Sequence, residues 1–226
     1  SRSSTLTLSD HFQSGAWVYV ENPTNDELHS LIAEFDLDAG HLQDVMDNDE
    51  IPRLEREGDV TYLFARHAHD HDGHEVVTRP ILFIIGPHYF MTISRTPLVR
   101  LDRFTSGAVH FATTHQLGLL TQIMDQIIDQ YEEYINASSR QIAQIRKRLQ
   151  THEVNNQDFV DFVLIEDRLN SFLSAMLPTT AIMKRVLLGR HMDTAAVVVV
   201  DLQAERLGAA RDGLADASHA DNAEAF

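Results

Sequence analysis

Between Leu120 and Leu149 the apolar residues Leu120, Met124, Ile127, Tyr131, Ile135, Ile142, Ile145 and Leu149 recur at helical intervals. One helix carrying this stripe runs for about nine turns, ending near Gln150. So long an apolar face needs a partner. The stretch from Asn156 to Leu188 supplies one through Phe159, Phe162, Val163, Leu169, Phe172, Leu173, Met176, Met183 and Leu187. A short polar connection makes the pair antiparallel. Pro178 lies inside the second helix, where the lost amide donor and the ring clash predict a kink. A third helix is expected over 193–217, although Val197 to Val200 are mediocre helix formers.

Before Gly107 the pattern is different. Trp17, Val18, Tyr19 and Val20 have high strand propensity and end at Asn22-Pro23, which predicts a first strand placed centrally in its sheet. Thr24 and Glu27 have the spacing of a capping box, and Leu28, Leu31, Ile32 and Phe35 follow as a helix over 25–36. Leu42, Val45 and Met46 suggest a second short helix, with Asp38 as N-cap and Pro52 as its stop. From Pro52 to Ser94 the period falls to two, with turns at Asp72-Gly73 and Gly86-Pro87. A largely antiparallel meander of three or four strands follows, and Pro97 opens a short helix to about Phe104. The chain therefore reads as an α/β (α+β) fold: a mixed, largely antiparallel sheet flanked by helices over 1–106, then a long-helix hairpin and partial stalk helix over 107–226.

Composition narrows the function. The 226 residues contain no cysteine, which removes disulfides, thiolate metal sites and cysteine nucleophiles. The 34 acidic against 18 basic residues give a formal charge of -16, which repels phosphate backbones and favours cations as partners. No nucleic acid partner is expected. The longest strongly apolar run, Ala195 to Val200, falls far short of the roughly 20 residues of a spanning helix, and no signal peptide is read. There is no glycine-rich phosphate loop after a strand, no His-Glu-x-x-His pair and no nucleophile elbow, so an enzyme is not expected.

Two groups of side chains suit cations. His67, His69, Asp70, His71, Asp72 and His74 surround the Asp72-Gly73 turn, and strand alternation puts His67, His69 and His71 on one side, where neutral imidazoles suit Zn²⁺. A hairpin tip held by Asp-Gly needs no metal, so these histidines also fit a plain polar turn. The second group is acidic: Asp44 beside Gln43 on the second short helix, and Asp125 on the first long one.

Several residues in a shared order resemble the cytoplasmic domain of the CorA family of magnesium transporters. They are Trp17 in a first strand before Asn22-Pro23, Leu42-Gln43-Asp44-Val45 followed by Pro52-Arg53-Leu54-Glu55, Met124-Asp125 and Ile128-Asp129 with Tyr131, and Pro178 between aliphatics. The resemblance implies a regulatory, cation-sensing domain with Mg²⁺ as regulatory ligand and cargo, and Co²⁺ or Ni²⁺ as further cargoes. It implies that Mg²⁺ bridges Asp44 to a stalk carboxylate of a neighbouring subunit, with Asp193 and Asp201 as candidates. It also implies that Asp125 pairs with the position of Gln43, which contributes no charge, so that a second site is weaker or lost. The implied assembly is a pentamer at the cytoplasmic face of the inner membrane, reached only through transmembrane helices and a Gly-Met-Asn pore loop that this sequence lacks; a fragment of this length is then a monomer or a weaker oligomer. The alternatives are the zinc-transporting branch of the same superfamily, a stand-alone metal-binding helical scaffold and, least supported, a metal-dependent hydrolase.

Overall fold

The computed structural model describes residues 12–71, 75–98, 100, 102–106, 108–109, 111–151 and 155–187. The expected third helix, the Asp72-Gly73 turn, and with them His74, Asp193 and Asp201, lie outside the described residues. Ten elements follow in order: β1 (Ala16–Glu21), α1 (Asn25–Phe35), α2 (Ala39–Asp44), β2 (Arg53–Glu57), β3 (Val60–His71), β4 (Glu75–Ile85), β5 (Tyr89–Ser94), α3 (Asp102–Thr105), α4 (Gln116–Gln150) and α5 (Asn156–Leu187).

The strands form one mixed sheet in the order β1-β5-β4-β3-β2. β2 to β5 make an antiparallel meander, and β1 joins it parallel to β5. The α/β class and the antiparallel character agree with the sequence; the central position expected of β1 does not, because β1 is an edge strand. Aromatic and β-branched residues report a half-buried pleat and not the number of neighbouring strands. Side chains protect that edge: Trp17 packs against Phe104 and Phe111 with ring centroids 5.7 and 5.9 Å away, and its Nε1–H donates to Thr92 Oγ1 at 2.9 Å.

Strand alternation divides the core into two layers. Trp17, Leu63, Ile81, Phe83 and Phe90 face α4 and α5, while Val18, Tyr62, Phe64, Leu82, Ile84 and Met91 face α1 and α2. Each fully buried side chain of this kind contributes roughly 1.5–3 kcal/mol. α1 begins as the sequence predicts, since Glu27 N–H donates to Thr24 Oγ1 and the Glu27 carboxylate accepts from the Thr24 amide. Asp38 caps α2 by accepting from the His41 amide at 2.9 Å. That helix stops at Asp44, well before Pro52.

The two long helices follow their stripes except where they lie nearest the connection, since Leu149 of α4 and Phe159 and Val163 of α5, expected on the packed face, are exposed. In α4 the residues Leu120, Met124, Ile127, Tyr131, Ile135 and Ile145 are buried. At the far end Arg148 Nε donates to Asp158 Oδ1 at 2.7 Å, and Asp158 also accepts from the Asn155 amide. The Arg148 hydrogen bond, then that of Asn155, holds the Asp158 carboxyl below its usual range. α5 continues through Pro178, and just beyond it the Thr179 and Thr180 hydroxyls each donate to a carbonyl four residues back at 2.7 Å. Such back-bonding accompanies helix bending.

Phe172 of α5 is fully buried and meets Tyr131 of α4 edge-on at 4.9 Å. Phe172→Ala should destabilise the chain by about 3–5 kcal/mol, read as a lower urea midpoint with an unchanged slope. A loss below about 1 kcal/mol would mean that the seam between the helices is not packed as described.

Candidate divalent-cation site

The open edge of the sheet, formed by β2, carries the acidic cluster. β2 reads Arg-Leu-Glu-Arg-Glu, and the Gly58-Asp59 turn joins it to β3 with Glu57 paired to Val60. Gly58 adopts φ +57°, a conformation the first position of such a tight hairpin demands and a side chain would strain. Alternation sends Arg53, Glu55 and Glu57 to the face that α2 covers, while Leu54 packs on the opposite core.

Arg53 is the centre of that face. Its guanidinium stacks 3.8 Å above the Phe64 ring, donates to Asp44 Oδ2 at 2.6 Å and to Glu55 Oε1 at 2.5 Å, and pairs with Glu50. Burial works against its charge, but Glu55 and Glu50 outweigh burial and raise its pKa. Three carboxylates against one guanidinium leave a net negative site whose Asp44 side chain is 45% exposed. An exposed ion pair contributes about 0.2–1 kcal/mol.

The loop between α2 and β2 is fixed from below. Arg66 donates to the carbonyls of Asn48 and Glu50, and Arg95 donates to the carbonyl of Met46 at 3.0 Å. These bonds set the position of Asp44 without engaging its carboxylate.

The other sequence-derived candidates are dispersed. Gln43 is exposed beside Asp44, whereas Asp125 sits half-buried on α4, the helix that packs on the opposite face of the sheet. Within one chain the structure does not bring Asp125 to Gln43 or Asp44. His67 is fully buried: its Nε2 lies 3.2 Å from Ser94 Oγ and 3.1 Å from Thr96 Oγ1, positions a metal would have to displace. His69 is half-buried on the same strand, and His71 ends it. Among the described residues the one group of three convergent ligands is Asp38, His41 and Glu57. Sequence reading missed that group, because a histidine two positions before Gln43 has no partner visible along the chain.

A family model described as CorA-like Mg2+ transporter protein matches residues 12–222. The fold is similar to that of the soluble domain of CorA from Methanocaldococcus jannaschii, with a TM-score of 0.76 at 15% identity, covering 88% of this chain and 82% of that one. The complete CorA magnesium transporter of the same organism gives a TM-score of 0.76 at 15% identity, covering 90% of this chain, which spans 66% of that transporter. The ZntB cytoplasmic domain from Vibrio parahaemolyticus gives 0.70 at 10% identity, covering 91% of this chain and 83% of that one. No curated protein matches the sequence significantly. Among the described residues no helix is long and apolar enough to cross a membrane.

Burial, then the nearby His69, lowers the His67 pKa from 6.5 to about 4. The folded chain therefore holds His67 neutral at pH values where the unfolded chain protonates it. The associated stability is complete above about pH 6.5 and is lost as the pH falls toward 4. The shift corresponds to about 3 kcal/mol. Urea melts at pH 7.5 and pH 4.5 should show that loss in the parent chain and a clearly smaller one in His67→Gln. Equal losses in both would exclude His67 as the group responsible.

Proposed function

The chain belongs to the CorA-like Mg2+ transporter family, and from that premise we propose that it is the cytoplasmic, cation-sensing domain of a divalent-cation transporter. The observation that carries the reading is Asp44: a half-exposed carboxylate at the end of α2 beside the sheet edge, next to a loop that the Arg66 and Arg95 guanidinium groups hold by its carbonyls, and paired with Arg53. Mg²⁺ keeps most of its water and binds through one or two carboxylates, which suits a ligand presented at a surface.

In this proposal Mg²⁺ displaces Arg53 and bridges Asp44 to a carboxylate of a neighbouring copy, Asp193 or Asp201. Loss of the ion leaves like charges facing one another and loosens the contact. An ion that favours one assembly shifts the population toward it, which is how cytoplasmic Mg²⁺ restrains its own entry. The cargo is Mg²⁺, with Co²⁺ and Ni²⁺ as further ions, and the domain lies on the cytoplasmic face of the inner membrane, attached through membrane helices. The full assembly is a pentamer, and this chain alone associates more weakly. Support for self-association comes from α5, where Phe159, Val160, Val163 and Leu164 leave an apolar face exposed.

Sedimentation in EDTA and in millimolar Mg²⁺ tests the reading. Mg²⁺ should shift the parent chain to larger species, and Asp44→Ala should remove the response while the chain stays folded. A response that survives Asp44→Ala would place the sensing elsewhere.

Arg53→Gln gives a second expectation. Without the competing guanidinium, the Mg²⁺ midpoint of the same response should fall about threefold to fivefold, the equivalent of about 0.6–1 kcal/mol. An unchanged or higher midpoint would mean that Arg53 does not compete for Asp44.

A further inference from the structure

His41 lies in α2, three residues before Asp44. Its side chain is buried, with the residue 6% exposed, and its ring packs 4.3 Å from the Tyr62 ring and 5.9 Å from that of Phe64. Its Nε2 is buried without a hydrogen-bond partner. A buried polar atom left in this state costs roughly 1–3 kcal/mol. The nitrogen does not point into the apolar layer. It faces carboxylates, 3.6 Å from Glu55 Oε2 and 3.5 Å from Glu57 Oε1. Asp38, fixed as the cap of α2, brings a third, and the ligand atoms of Asp38, His41 and Glu57 all lie within 4.8 Å of one another.

These separations suit a particular kind of ion. Bonds of 2.0–2.2 Å in a tetrahedron put neighbouring ligand atoms roughly 3.3–3.6 Å apart. The 3.5 Å from His41 Nε2 to Glu57 Oε1 already falls in that range. Glu55, whose other oxygen accepts from Arg53 Nε, lies near the same nitrogen but outside this convergent group. The Glu55 and Glu57 side chains are 42% and 52% exposed, so they can swing aside to admit an ion to the covered nitrogen. Imidazole with carboxylates selects a borderline transition-metal dication, whereas Mg²⁺ takes oxygen ligands in a tight octahedron.

We propose that His41, Glu57 and Asp38 form a transition-metal site of the Zn²⁺ class, separate from Asp44. The site stands on this geometry alone and does not depend on the role of Asp44 in sensing Mg²⁺.

The test is calorimetric titration of the chain with Zn²⁺ in saturating Mg²⁺. Glu57→Gln, an exposed change that leaves the core intact, and His41→Gln should each weaken one Zn²⁺ site at least tenfold, since loss of an outer-shell partner alone costs that much. Asp44→Ala and the double variant His69→Ala, His71→Ala should leave it unchanged. Crystals soaked in Zn²⁺ should show an anomalous peak within bonding distance of His41 Nε2. The proposal is overturned if the chain binds no Zn²⁺, if Glu57→Gln binds as the parent does, or if binding is lost with the His69 and His71 variant instead.

Discussion

One half-buried guanidinium ties the sheet, the acidic loop and the long helices together. Arg66 Nε donates to Thr78 Oγ1 at 2.9 Å and Nη2 donates to the Thr78 carbonyl at 2.8 Å, joining β3 to β4. The same group reaches the Asn48 and Glu50 carbonyls, and the backbone carbonyl of Arg66 accepts the Tyr131 hydroxyl of α4 at 3.1 Å. Burial lowers the Arg66 pKa, but a guanidinium remains charged, so each of these bonds is charge-assisted. The positive charge is compensated largely by carbonyl dipoles, which leaves the carboxylates of the loop available to the surface.

That arrangement explains how a chain of formal charge -16 presents acidic groups in a defined geometry. Carboxylates crowded on a mobile loop would simply spread apart. Here the backbone of 46–50 is held by Arg95 and Arg66, and the side chains of Asp44, Glu50 and Glu55 are gathered by Arg53. The guanidinium of Arg53 limits the repulsion among them. Under the proposed function, Mg²⁺ exchanges with this guanidinium at Asp44. His41, whose ring completes the apolar layer above Tyr62, sits beside this exchange with its nitrogen turned to the same acidic edge.

The long helices were legible because helical period is a local property: the stripe from Leu120 to Leu149 and the polar break after Gln150 predict the end of α4 and the start of α5 to within a residue. The capping box at Thr24 was legible for the same reason. The edge position of β1 was not, since its parallel pairing with β5 is made by residues about seventy positions away. β2 was obscured by four charged residues in five, a composition that an edge strand uses against unwanted pairing. The burial of His67 follows from the Ser94 and Thr96 hydroxyls, which no histidine count reveals. The Asp38, His41 and Glu57 group needs both the cap of α2 and the alternation of β2, and appears only when the two elements meet.

The most direct measurement of the central claim is the Arg53 Nε–H resonance, followed by NMR as Mg²⁺ is added to the chain. If Mg²⁺ takes Asp44 from the guanidinium, this signal should move in a saturable manner while that of Arg66, bound to carbonyls, stays in place. An Arg53 signal unmoved at saturating Mg²⁺ would contradict the account, because the acidic edge would then keep its internal cation and have no exchange with which to sense another.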